Sequence, residues 1–437
     1  MEVDMRRVKS ESRLRMLLAG LSLSLLPLVG GCASPDADGA TAADATLYEG
    51  ARILVGDGSA PIENGAFLVE NGRFTRVGRG GELALPTGAA RVDLTGKTVM
   101  PALINTHVHL GVAREDLANQ LQHFAYYGVG TVQSMGLDSG SVTLDMRGES
   151  VPGGARYLTA YQGITSPEPG RGEVPHWVTT EEEARAAVRD LAAKQVGLIK
   201  IWVDDRGGQY ERLSPALYGA VIDEAHRNGQ RVAAHLYALE DAKGLIRAGV
   251  DAFAHSVRDT DIDAEGLAMI RERTGFLQIP NLPDRGVATD LSWIAGTIPA
   301  EQLAGLQSRS TDRPEVQERF AVQGRNLVLL QEAGVRIGMG TDGGVPWAAH
   351  VELEDMVGAG MTPAQVITAA TRNSAEFLQL PDVGTIATGK TADFLVLDGN
   401  PLDDITNTRR IDAVYLRGAA VDRAAISARQ LGASEGP

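Results

Sequence analysis

One cysteine in 437 residues leaves no room for an intramolecular disulfide or a cysteine-based zinc cluster. Any bound metal must therefore be held by His, carboxylate or Lys. Aromatics are scarce at 5%, and basic residues are outnumbered, Lys+Arg 41 against Asp+Glu 56, for a formal net charge of −15. That balance argues against nucleic acid or an anionic membrane surface as partner. A hydrophobic run of the ~20 residues that span a bilayer is missing. The apolar stretch from Met16 to Gly31 is short and broken by Pro27. No Gly-rich phosphate fingerprint lies between a strand and a helix, so a dinucleotide-binding fold lacks its main support. What is present is an ordinary composition, 43% hydrophobic and 22% charged, in a chain long enough for a large core.

Arg6, Arg7, Lys9, Arg13 and Arg15 precede the apolar stretch, and Gly30-Gly31 close it, which is the order of a secretory signal. The string Leu28-Val29-Gly30-Gly31-Cys32 resembles the lipobox of bacterial lipoproteins. The resemblance implies that residues 1–31 are a signal peptide and that Cys32 carries a lipid. The protein would then be exported and lipid-anchored to a bacterial membrane, facing the periplasm or the cell surface. An ordinary signal peptide with an incidental cysteine is the alternative. Losing residues 1–31 removes five basic and three acidic residues and takes the net charge from −15 to −17. Residues 32–47 are small, polar and acidic, as suits a flexible linker.

Residues 48–100 show short alternating apolar segments punctuated by Gly and Asn-Gly, and similar material returns over 383–428. The two ends are expected to build one small β-sandwich domain. Between them, residues 101–382 alternate apolar strands such as GLIKIWVDD and RVAAHLY with amphipathic helices at Thr180–Lys194, Pro215–Asn228, Leu239–Ala248 and Pro314–Glu332. Eight such units in about 280 residues fit an α/β fold of the (β/α)8 TIM barrel type better than an open sheet. Residues 284–313 exceed a normal connection and are expected to form a lid or pocket wall.

The unusual polar residues fall at strand ends. His107 and His109 are two apart on a strand, hence on one face, and two imidazoles facing a barrel interior suit a divalent metal. His235 ends RVAAHLY, His255 ends DAFAHSV and Asp342 ends RIGMGTD. Burying such groups is costly unless a metal or hydrogen bond satisfies them. Lys200 stands inside the apolar GLIKIWVDD. It either pairs with Asp204 or another acid, or stays a neutral amine that can take up carbon dioxide as a carbamate.

His107-Val108-His109 after Pro-Ala-Leu-Ile-Asn-Thr, Lys200, His235, His255 and Gly-Thr-Asp342 resemble the binuclear amidohydrolase superfamily, and within it the prolidase-like and imidazolonepropionase-like branch. The likeness runs from about Tyr48 to Val421. It implies two divalent metal ions, zinc the expected element. His107, His109 and Asp342 would bind one, His235 and His255 the second, and carboxylated Lys200 both. It further implies hydrolysis by a metal-bridging hydroxide, with Asp342 as the catalytic proton shuttle. Many relatives carry Asp where this chain has Asn105, a residue expected to touch ligands rather than metal.

Arg258 could fork onto a substrate carboxylate, or pair with Asp259 or Asp261. Tyr237 shares a face with His235 if the strand continues. Tyr161 and Trp202 are candidate pocket walls, and His350 a candidate for facing substrate. His123, His176 and His226 are assigned no role. The expected reaction is hydrolysis of an amide C–N bond in a small-molecule substrate, a dipeptide (Xaa-Pro included) or an N-acyl amino acid. A cyclic amide or lactone hydrolase is the enzymatic alternative, and a non-catalytic metal- or solute-binding lipoprotein the alternative of another class. The sequence leaves a homo-oligomer open.

Overall fold

The structure is a computed structural model, and the described residues are 45–432 apart from 85, 283 and 284. The expected signal peptide, Cys32 and most of the expected linker lie outside them. Among the described residues the first strand is Ala45–Ile53, so the last three residues assigned to the linker belong to a strand.

Both chain ends meet in one eight-stranded mixed sheet. Ala45–Ile53, Ile62–Glu70, Arg73–Arg79, Ala90–Asp93 and Thr98–Pro101 come from the N-terminal side, and Phe394–Leu397, Ile411–Leu416 and Ala419–Ala420 from the C-terminal side. The join is antiparallel, with Leu395 opposite Met100. Asn71 and Gly72, with φ of 50° and 72°, supply the tight hairpin between Ile62–Glu70 and Arg73–Arg79. Several of the chain's few aromatics pack on this sheet: Tyr48 stacks on Phe67 at 4.9 Å between centroids, and Phe394 on Tyr415 at 4.6 Å.

Between the ends, parallel strands alternate with helices. Leu103–Val108, Val129–Ser134 and Arg156–Thr159 form a three-stranded sheet. Ile164–Thr165, Leu198–Val203, Arg231–Leu236, Ala252–Phe253, Leu277–Gln278 and Arg336–Ile337 form a second, with His176–Trp177 at its edge. Backbone bonds connect the two sheets on both sides. Thr106 N donates to Met339 O at 2.9 Å, and Asp342 N to His107 O at 2.9 Å. On the other side the run 156–165 is shared: its first part pairs with Val129–Ser134, and Ile164 pairs with Ile201.

Local sequence explains the helices. Glu181–Ala193 opens on a complete capping box between Thr180 and Glu183. Pro215–Arg227 starts on proline behind the Ser214 cap, and Leu239–Ala248 stops at Gly249, whose φ of 94° favours glycine. Every residue of Val129–Ser134 and Leu198–Val203 is buried. Strands covered on both faces read as unbroken apolar runs, which is why one lysine stands out in the second. Within 285–313, a turn at Ser292–Ile294 and a helix at Ala300–Arg309 build a satellite core of Leu291, Ile294 and Ile298 against Tyr127. Among the described residues no helix is long and apolar enough to cross a membrane.

Candidate metal centre

The C-terminal ends of the parallel strands carry the unusual polar side chains into one cluster. His107 and His109, two apart at the end of Leu103–Val108, have ring centroids 5.1 Å apart. Asp342 ties the group together. Its Oδ1 lies 3.1 Å from His107 Nε2 and 2.9 Å from His109 Nε2, and its Oδ2 lies 3.4 Å from His255 Nε2. The His235 ring is 4.4 Å from that of His255, and Lys200 Nζ is 3.5 Å from His107 Nε2. All six groups selected as metal ligands from the sequence are thus neighbours. Asp342 sits at φ 50°, in the left-handed region that an aspartate tolerates better than most residues.

Burial dominates the electrostatics. It pulls His107 down to about 3, with the Lys200 charge adding to the effect and Asp342 opposing it. Burial likewise holds His235 at about 3 and His255 well below the ordinary imidazole range. For Asp342 burial pushes upward, but His107, His109 and His255 outweigh it and hold the carboxyl far below the ordinary range. Lys200 is fully buried, and burial brings its amine down to about 7 against the pull of Asp342. Among the described residues no carboxylate is within ion-pair distance of Lys200. Asp204, the partner weighed for it, bonds His235 Nε2 at 2.9 Å and Arg206 at 3.0 Å instead.

Several supporting residues had no sequence signal of their own. Asn281 Nδ2 is 2.6 Å from both His107 Nδ1 and the Ala254 carbonyl. Buried Asp138 accepts from Ser134 Oγ and Tyr157 OH, each at 2.8 Å, and from Thr159. Arg206 links His235 to Glu168, at 3.1 and 3.0 Å. Gly340 leaves no space for a side chain, since a Cβ there would stand 2.8 Å from His107 Cβ. Only Asp204 and Arg206, directly after an apolar strand that contains the lysine, offered a local hint.

The residues fit a divalent cation. Ligand atoms of His107, His255 and Asp342 all lie within 4.8 Å of one another. Buried His255 Nε2 has no hydrogen-bond partner, although it points at the Asp342 carboxylate. Neutral imidazoles and an ionised carboxylate are the donors zinc prefers. His235 is differently placed, because its Nε2 is turned to Asp204 and Arg206.

The expected specificity residues divide. Tyr237 is exposed and lies under the Arg258 guanidinium at 5.4 Å. Arg258 contacts His235 Nε2 at 3.4 Å and donates to Leu236 O. Asp259 and Asp261, its alternative partners, are engaged by Leu239 N and Arg325. Trp202 packs its ring where Gly136 and Gly163 leave room, 5.4 Å from Lys200 Nζ. Two candidates are engaged by the scaffold. Tyr161 is buried in the main core with Lys194 over its ring at 6.0 Å. His350 is interior, its ring nitrogens 3.0 Å from Thr408 Oγ1 and 2.9 Å from Tyr127 O. Both nitrogens are already satisfied by the scaffold.

The Amidohydrolase family model matches residues 98–421. An uncharacterised protein of Mycobacterium tuberculosis is 27% identical over 351 residues, 76% of this chain and 88% of its own. Imidazolonepropionase of Deinococcus radiodurans is 26% identical over 394 residues, 82% of this chain and 92% of its own. The crystal structure of a proposed prolidase from Bifidobacterium longum is similar with a TM-score of 0.73 at 29% identity, covering 88% of this chain and 98% of the other.

Proposed function

Because this chain belongs to the amidohydrolase family, we propose that it hydrolyses the amide C–N bond of a dipeptide or N-acyl amino acid. The observation that carries the proposal is one carboxylate, Asp342, within 3.4 Å of three imidazoles at the ends of two different strands. Likeness to a proposed prolidase at 29% identity supports an amide substrate. In this proposal the parallel sheets close as a (β/α)8 barrel, and the eight-stranded sheet folds over as the sandwich.

His107, His109 and Asp342 would hold one divalent ion, His235 and His255 a second, with the Lys200 amine carboxylated between them. Bound there, zinc would polarise a carbonyl oxygen and make water acidic near neutral pH. Lys200 supports this assignment by lying fully buried without a carboxylate partner among the described residues. Asp342, kept ionised by its imidazoles, can take a proton at Oδ2 as water attacks and deliver it to the leaving amine. Trp202 and the surrounding strands exclude bulk water. Arg258 and Tyr237 stand beside His235, where they can orient the substrate.

The proposal extends to location: an exported lipoprotein anchored through Cys32. Its test is radiolabelled palmitate incorporation, expected in the natural chain and absent from Cys32→Ser.

For activity, the metal-replete chain is assayed on dipeptides and N-acyl amino acids against lactones and imidazolones. Turnover of the amides is expected. Turnover confined to rings would favour the cyclic-amide alternative, towards which the imidazolonepropionase likeness points. Bound metal with no hydrolysis of any carbonyl substrate would refute the enzyme.

A further inference from the structure

Two cavities lie beside the histidine–aspartate cluster. Consecutive residues separate them, with Asn281 lining one and Leu282 the other. The Asn281 cavity, about 310 Å³, is lined by Arg258, Arg319 and Gln323 among others. Neither Arg258 nor Arg319 has a carboxylate at ion-pair distance among the described residues. Arg258 Nε is a buried donor without a hydrogen-bond partner, and Gln323, 2% exposed, offers an unpartnered acceptor, Oε1, for an N–H of the ligand. Buried polar groups without partners are costly unless a ligand completes them, and two guanidiniums select an anion.

The Leu282 cavity, about 350 Å³, has a mainly apolar wall of Leu282, Val287, Leu291, Leu306, Trp347 and Val351, with Arg309 also in its lining. Two acids at its edge are already engaged: Glu352 accepts from Leu282 N at 3.0 Å, and Asp355 pairs with Arg285 at 2.7 Å. Thr341 lines it too, one residue from Asp342. Much of its outer wall comes from 285–313, the segment too long for a simple connection. A third observation concerns the rim. Of the exposed large apolar side chains, Val112, Leu137, Tyr237, Val287 and Val345 all lie in segments that follow C-terminal ends of parallel strands.

We infer that the substrate is an amphipathic N-acyl amino acid, with a large apolar acyl group in the Leu282 cavity and its carboxylate in the Arg258–Arg319 cavity. The inference rests on the amide-hydrolase proposal and narrows it. Water's oxygen bonds to the acyl carbon, the C–N bond breaks and the amine takes the proton from Asp342, giving a free fatty or aromatic acid and an amino acid. A small hydrophilic dipeptide would leave the Leu282 cavity wet, and an imidazolone would fill neither.

The test assays the zinc-loaded full chain on N-acetyl-, N-butanoyl-, N-octanoyl- and N-benzoyl-alanine. The value of kcat/KM should climb by up to about fourfold per buried methylene, and at least tenfold overall from acetyl to octanoyl. Ala348→Phe, which fills the cavity, and Leu306→Asp, on a helix with no buried residue, should each bring the octanoyl-to-acetyl ratio close to one. Arg319→Ala should raise KM about tenfold for N-octanoyl-alanine but not for its carboxamide. Equal rates along the series, or a ratio unmoved by both cavity variants, would overturn the inference while amide hydrolysis stood. Calorimetry on metal-free protein separates the other failure. If N-octanoyl-alanine binds far more tightly than N-acetyl-alanine yet no amide is cleaved, the cavity assignment holds and the hydrolase proposal falls.

Discussion

The Asn105 side-chain amide donates to Thr341 Oγ1 at 2.9 Å, while its Oδ1 accepts from His107 N at 3.2 Å. One buried side chain thereby sets the spacing between the strand that carries the histidine pair and the segment that carries Asp342. Asn105→Leu removes both bonds in the interior, which costs about 1–3 kcal/mol per group left unsatisfied. The variant should unfold at lower temperature and bind zinc more weakly, and an unchanged zinc titration would refute the positioning role.

Asp342 and Lys200 make separable predictions. Asp342→Asn keeps the shape but loses the proton acceptor, so kcat should fall about 100-fold or more with the fold intact by circular dichroism. Lys200→Ala should lose metal and activity together, as metal analysis of the purified protein would show. Full activity in either variant contradicts its assigned role.

Gly163 tests the packing behind the site. A Cβ there would collide with the Trp202 ring and stand 2.9 Å from Lys200 O. Gly163→Ala should destabilise by about 1–3 kcal/mol, the usual cost of overpacking, and displace Trp202, with a change in fluorescence as the second readout.

His350 should matter for stability alone. His350→Leu leaves the Tyr127 carbonyl without its interior partner, while the Thr408 hydroxyl keeps its bond to Ile405 O. A loss of about 1–3 kcal/mol in urea unfolding is expected, with kcat/KM unchanged. A large kinetic defect would return this residue to the substrate.

Acid should unfold the metal-free protein from an unusually high pH. Burial holds His107, His235 and His350 at about 3, well below the free imidazole value of about 6.5. As pH falls through about 6.5 the unfolded chain takes up protons first, so stability declines until about 3, by up to ~1.4 kcal/mol per pH unit for each group. Above about 6.5 this contribution is complete. Urea midpoints should fall steadily between about pH 6.5 and 4, and a flat profile there would contradict the burial of these rings.

Much of the site was legible along the chain, for a local reason. An imidazole, a carboxylate or a lysine is conspicuous within or at the end of a strand whose other residues are apolar, because burying it alone is costly. His107, His109, Lys200, His235, His255 and Asp342 all met that description, and they converge. The helices at Glu181–Ala193, Pro215–Arg227, Leu239–Ala248 and Pro314–Glu332 were equally plain, since caps and apolar periodicity act within a few residues. A single cysteine had already argued against a cysteine-based zinc cluster.

Only the tertiary structure decided which polar residue meets which. His350 lies close in sequence to Asp342, yet it is spent on Tyr127 and Thr408, residues more than 50 positions away. Asp204 takes His235 rather than Lys200, and Arg258 contacts His235 instead of the acids beside it. Asn281 and Asn105 support His107 through bonds that no spacing rule anticipates. Such pairings depend on how the sheets come together and how completely water is excluded between them, and neither property is written in any short stretch of the chain.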